Sequence, residues 1–147
     1  MRLFQLLRLL WAAPWSLVGM LLGGLMLACR GRGRVRVRVV QGALEFSGGA
    51  LAALPWPMDA ITLGHVILGR SDALLDGLRC HEQVHVRQYE RWGILLVPAY
   101  LASSAWHGLI GGDAYRDNAF ERQARALSAS PQLVHPRVSS APADLKR

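Results

Sequence analysis

His81, Glu82 and His85 stand in the run His81-Glu82-Gln83-Val84-His85, the spacing with the most chemistry in this sequence. On a helix, residues four apart differ by about 40° in azimuth and about 6 Å in rise, so both imidazoles reach one metal ion from the same side. Glu82 is offset by about 100°, which aims its carboxylate at a water on that ion rather than at the ion. Zn2+ suits such donors and brings the pKa of a water it holds toward about 7. A neighbouring carboxylate can take that proton and later pass it to a leaving amine. The run therefore reads as a zinc site with Glu82 as general base for peptide-bond hydrolysis. A competing reading is plain packing. Leu74, Leu78, His81, His85, Gln88 and Trp92 follow three-four spacing, which makes the histidines part of an apolar stripe. Burying two imidazoles side by side with no metal or other partner is costly, and this favours the metal.

A hydrolytic zinc site needs a third protein ligand and keeps one position open. Downstream, His107, Asp113, Asp117 and Glu121 carry suitable atoms; Asp59 and His65 lie upstream. No His-x-x-Gly-x-x-His continuation follows, which excludes the metzincin pattern. Glu121 also has ordinary uses: it stands at capping-box spacing from Asn118 and one turn before Arg125.

Several elements must position these residues. Ser71-Asp72 supplies an N-cap and a first-turn acid for a helix running to about Trp92, where Gly93 stops it. Ala60 to Leu68 is β-branched and apolar and reads as one strand. Trp92 to Ile110 is apolar and broken by Pro98, and Asn118 to about Ser128 reads as a last helix. Gly42 to Pro57 is strand-and-turn material, and from Ser130 onward Pro, Ser and Ala without periodicity imply a disordered tail.

Composition points to a membrane. The chain has 147 residues, 52% of them hydrophobic, and 17 Lys plus Arg against 10 Asp plus Glu give a net charge of +7. Greasy and basic together suggest a lipid surface before nucleic acid. Leu9 to Cys29 carries no charge and is long enough to span a bilayer, with Pro14 and Gly23-Gly24 expected to kink it and Trp11 and Trp15 as interfacial anchors. It reads as a spanning or re-entrant anchor with the arginine-rich side in the cytoplasm; Met26-Leu27-Ala28-Cys29 loosely fits a lipoprotein signal. From Arg30 to Arg38 arginine alternates with Gly or Val, so a strand would present five arginines on one face, toward anionic lipid or solvent. No aromatics are interleaved there to stack on RNA bases. Cys29 and Cys80 are expected to be reduced, buried thiols.

The run Ala60 to Ile67, followed by Leu78-Arg79-Cys80-His81-Glu82-Gln83-Val84-His85-Val86-Arg87-Gln88-Tyr89, resembles a bacterial group of minimal gluzincin-like HExxH metallopeptidase domains. Their motif continues as His-Val-x-Gln. Tyr115 to Ala124 is similar to their downstream Asn-Pro-x-Glu-x-Glu-Ala element, with Ala119 in place of the Pro and Gln123 in place of the second acid. The resemblance covers roughly Ile61 to Ala124 and implies Glu121 as third ligand, with the strand before the helix binding extended substrate by strand addition. With Glu121 as ligand, Trp92 to Ile110 cannot cross a membrane, because His81 and His85 precede it and Glu121 follows it.

These readings converge on an α+β, zincin-like domain: a short sheet, the active helix, a backing apolar helix and a Glu-bearing helix, plus an N-terminal membrane-associated helix. The expected divisions are 1–29 anchor, 30–58 basic strand and turns, 59–129 metal-binding domain and 130–147 tail. The expected function is a membrane-attached zinc metallopeptidase acting on a peptide or protein. The alternative is a non-catalytic, zinc-stabilised membrane module that binds a partner or anionic lipid.

Overall fold

The computed structural model describes residues 3–29, 33–49 and 58–129. The expected tail, and Arg30 and Arg32 of the arginine run, lie outside them. Among the described residues, four helices and a four-stranded sheet follow one another as α1 (Leu3–Ala28), β1 (Val35–Val40), β2 (Ala43–Gly48), β3 (Ala60–Leu63), β4 (Val66–Gly69), α2 (Asp72–Trp92), a 3₁₀ turn (Gly93–Leu95), α3 (Leu96–Leu109) and α4 (Ala119–Ser128). The fold is α+β with a small mixed sheet. Its strand order is β1-β2-β4-β3, with β2 and β4 parallel and the other pairs antiparallel.

The expected strand at Ala60 to Leu68 is two. Gly64 takes φ 62° and turns the chain into a β3–β4 hairpin. β4 is buried on both faces, which is why it reads as an unbroken apolar run. Val66 and Leu68 pack with Met26 of α1 and Phe46, while Ile67 packs on the other side with Leu75 and Val86 of α2. The sheet is thus the middle layer between α1 and α2.

α1 is continuous through Pro14. It meets the sheet at Gly19, where a Cβ would lie 2.7 Å from Val66 Cβ, and at Gly23, where one would lie 2.6 Å from the Phe46 ring. Only glycine lets the two backbones come this close. Ser16 adds a polar latch: its Oγ accepts from His65 N (3.0 Å) and donates to Ala12 O (3.1 Å). His65 lies between Ser16 and Glu90, away from the histidines of α2.

The arginine strand joins the same sheet rather than standing apart. Arg38 pairs across β1–β2 with Glu45, and Arg36 with Ser47. On that face Glu45 is buried and held by both arms of Arg79 from α2 (3.0 and 3.1 Å), while Arg36 meets Asp72 at 2.7 Å and Arg38 meets Asp76 at 3.1 Å. Arg36 and Arg38 are therefore paired to the protein's own acids. Val35, Val37 and Val39 take the opposite face, where Val37 stands across from Phe46.

Cys80 is half-buried but Cys29 is exposed, and both are free thiols, so the expectation of two buried thiols holds for neither in full. Pro98 falls in the first turn of α3, where no N–H is required, and does not break it; the chain instead changes course at Gly93 (φ 55°).

Candidate metal centre

α2 begins as its residues dictate: Ser71 accepts from Leu74 N, and Gly93 closes the helix with its N–H on Tyr89 O. Its core face differs from the apolar stripe read in the sequence. Leu75, Glu82, Val86 and Tyr89 are buried, whereas Leu74 and Trp92 are exposed. This rotation leaves His81 and His85 at the edge of the buried face, their side chains only 16% and 12% exposed, on the wall of a cleft.

α4 approaches this cleft from the far side. Asn118 caps it by accepting from Phe120 N, and its amide donates to Tyr100 O and Ser104 Oγ, tying α4 to α3. Glu121 makes no capping box. It is buried and turned toward the histidines, with Oε2 3.3 Å from His81 Nε2 and Oε1 3.4 Å from His85 Nε2. The two histidine Nε2 atoms are 3.1 Å apart, with their rings crossed at 77°. Tyr100 donates to Glu121 Oε1 at 2.9 Å. Glu121 Oε2 is buried without a hydrogen-bond partner among the described residues. Burial pushes the Glu121 carboxyl up, but His81 and then His85 beside it win and hold it far below the ordinary carboxylate range. His85 responds in kind: burial lowers it, and Glu121 with Glu82 raises it to a net upward shift.

This donor set can hold a metal ion: one atom each from His81, His85 and Glu121, all within 4.8 Å of one another. Two ligands at about 2.0–2.1 Å from one ion in tetrahedral array are about 3.3 Å apart. The observed 3.1, 3.3 and 3.4 Å agree with that spacing, and the orphaned Oε2 has the lone pairs an ion would take. Glu82 stays out of the cluster; its Oε2 accepts from Thr62 Oγ1 of β3 at 2.6 Å.

The other candidates go elsewhere. Asp113 accepts from Tyr115 N and Arg116 N, Asp117 accepts from Asp113 N, and both serve the α3–α4 turn. Asp59 is exposed, and neither His65 nor His107 belongs to the donor cluster.

Several site residues carried no assigned role in the sequence. Gln88 Oε1 lies 2.8 Å from His85 Nδ1, while its amide nitrogen donates to Phe120 O (3.0 Å) and Gln123 Oε1 (2.8 Å). Those two acceptors orient the amide, so its oxygen faces the ring and places the proton on Nδ1, leaving Nε2 a free lone pair. The i, i+3 spacing from His85 was the available signal. Thr62, Tyr100, Tyr115 and Trp15 gave none, because only the tertiary fold brings them near. Trp15 was read as an interfacial anchor; its Nε1 donates to Ile94 O at 3.2 Å and its ring lines the cleft. The cleft has a volume of about 230 Å³ and is mostly apolar, with Ile61, Leu63, Leu96 and Val97 among its walls. Tyr115 faces it too; burial and then Glu121 push its phenol up to about 12, so it stays a neutral donor at physiological pH.

Gln88→Leu is expected to weaken zinc binding by about 10–100-fold. Gln88→Glu keeps an acceptor for Nδ1 but turns a carboxylate oxygen on Phe120 O and Gln123 Oε1, so it recovers only part of that loss. Competition against a chromogenic chelator measures both; equal weakening by the two variants would show that Gln88 only packs.

Compared with protein-family models, with curated proteins and with solved structures, the chain matches none.

Proposed function

We propose that this chain is a zinc-dependent peptide hydrolase attached to a membrane through α1. The observation that carries the reading is a three-donor cluster at zinc-like spacing with Glu82 beside it and outside it. Two imidazoles and a carboxylate are a borderline set that suits zinc. Three donors leave a four-coordinate shell one position short, the opening that hydrolysis requires. Zinc held there would supply Lewis acidity, polarising a carbonyl and making water a nucleophile near neutral pH.

The remaining steps belong to the protein. Glu82 takes the proton from the attacking water and delivers it to the leaving amine, and Thr62 holds one carboxylate oxygen so that the other is free for this work. The neutral Tyr115 phenol lies on the same cleft, where it can donate to charge that develops on the substrate carbonyl. β3 is an edge strand beside the cleft, so its outer backbone can pair with an extended peptide over Ala60–Leu63. The apolar walls favour apolar side chains on that peptide. The same layout, with the strand beside the active helix, supports the zincin-like reading.

The test is digestion of a mixed, unstructured peptide library by the detergent-solubilised full chain. Cleavage is expected with zinc, to vanish with a chelator and to return when zinc is restored. Cleavage insensitive to the chelator would reject the metal mechanism. No cleavage by fully zinc-loaded protein would favour the non-catalytic module.

A further inference from the structure

α1 is 26 residues long, and its Leu6–Ala28 portion has the length and mean hydropathy (1.6) to cross a membrane. Its two faces differ. At 100° per residue, Leu10, Leu17, Leu21 and Leu25 fall within about 80° of one another. Ala12, Ser16, Gly19, Gly23 and Met26 fall within a second sector of similar width on the opposite side. The small-residue sector lies on the sheet and on the β3–β4 turn. The leucine sector is exposed, from 56% at Leu17 to 74% at Leu21.

This inner contact runs along nearly the whole helix. Trp15 meets Ile94, Ser16 meets His65, Gly19 meets Val66, and Gly23 and Met26 meet Phe46. A helix crossing the bilayer would take these partners to the same depth. An open sheet with edges at β1 and β3 would then sit in hydrocarbon, where unpaired backbone groups cost several kcal/mol each. The ion network of Arg36, Arg38, Glu45, Asp72, Asp76 and Arg79 would be immersed with it. α1 therefore cannot both cross the membrane and keep this fold.

We infer that α1 lies flat in the membrane interface, with its glycine sector on the sheet and its leucine sector in the lipid. The inference rests on α1 being the membrane attachment proposed above and adds its orientation. Charge segregation identifies lipid as the occupant. No charged residue falls between Leu9 and Cys29, so the outer face has none, whereas the ionic network occupies the opposite face of the sheet. The exposed stretch from Leu6 to Leu27 is a near-continuous apolar strip about 30 Å long, and Leu10, Leu17, Leu21 and Leu25 on it are each more than half exposed, a patch of the kind that marks a membrane or protein contact. Exposed Val37 and Val39 lie on the α1 side of the edge strand and widen it. Lipid contact thus falls to leucine and valine, not to Arg36 and Arg38. Both ends of α1 remain on one side of the membrane, and Trp15 places a wall of the metal cleft next to the bilayer surface.

The test uses the full chain with Cys29→Ser and Cys80→Ser, carrying one nitroxide at position 10, 17, 21 or 25 in phosphatidylcholine–phosphatidylglycerol vesicles. Power saturation with oxygen and a water-soluble nickel complex reads depth. All four labels are expected at one depth, within about 5 Å. Depths spread over about 22 Å, as a perpendicular helix requires, would overturn the flat orientation while leaving the attachment intact. Failure to bind vesicles, a stable dimer that shields the labels without lipid, or a mature chain starting at Cys29 would overturn both.

Discussion

Alanine at His81, His85 or Glu121 abolishes the zinc complement of about one ion per chain expected for the purified protein. The three donors lie within 4.8 Å of one another, so removing any one leaves an incomplete pair of ligands. The readout is metal content after dialysis, supported by melting. Zinc at about a hundred times its Kd stabilises the native state by about 2.7 kcal/mol, which for a protein of this size is roughly 5–11 °C in Tm. That increment is expected in the parent chain and absent from each variant. Glu121→Ala is the most informative, because Glu121 comes from a separate helix and reports whether α4 closes the site in solution. Stoichiometric zinc persisting in the His81→Ala, His85→Ala double variant would show that the metal binds elsewhere.

Glu82→Gln is expected to keep the zinc and the melting temperature and to lower hydrolysis by about 10²–10⁴-fold. The amide is isosteric and can still accept from Thr62, so the fold around β3 and α2 has no reason to move. What it loses is the ability to take a proton. Thr62→Val, which frees the carboxylate to rotate, should produce a smaller fall with the metal retained. Loss of zinc from Glu82→Gln as complete as from His81→Ala would make Glu82 a ligand and remove the base from the mechanism.

The site was legible in the sequence wherever its geometry is local. Ser71, Gly93 and the four-residue spacing of His81 and His85 act within one or two helical turns, and α2 has those ends. Asn118 likewise starts α4. Glu121 was one acid among several, and its competing use in a capping box is equally local; its place opposite the histidines depends on α3 and α4 packing through Asn118 and Tyr100. Gly64 was hidden inside an apolar run, because a tight hairpin needs only one residue at positive φ to split a strand.

The longest-range decisions concern charge and membrane. Alternation correctly put the β1 arginines on one side, but periodicity cannot say what covers that side, and Glu45, Asp72 and Asp76 do. A charge-free run of 21 residues likewise establishes only that water is a poor solvent for it. Leucines and glycines count alike in such a run. Whether the helix stands across a membrane or lies along a sheet depends on which atoms meet its small residues, and here Val66 and Phe46 meet Gly19 and Gly23. Local spacing is written in the chain because helical turns are short; the partners of each face are chosen only when distant segments compete for the same surface.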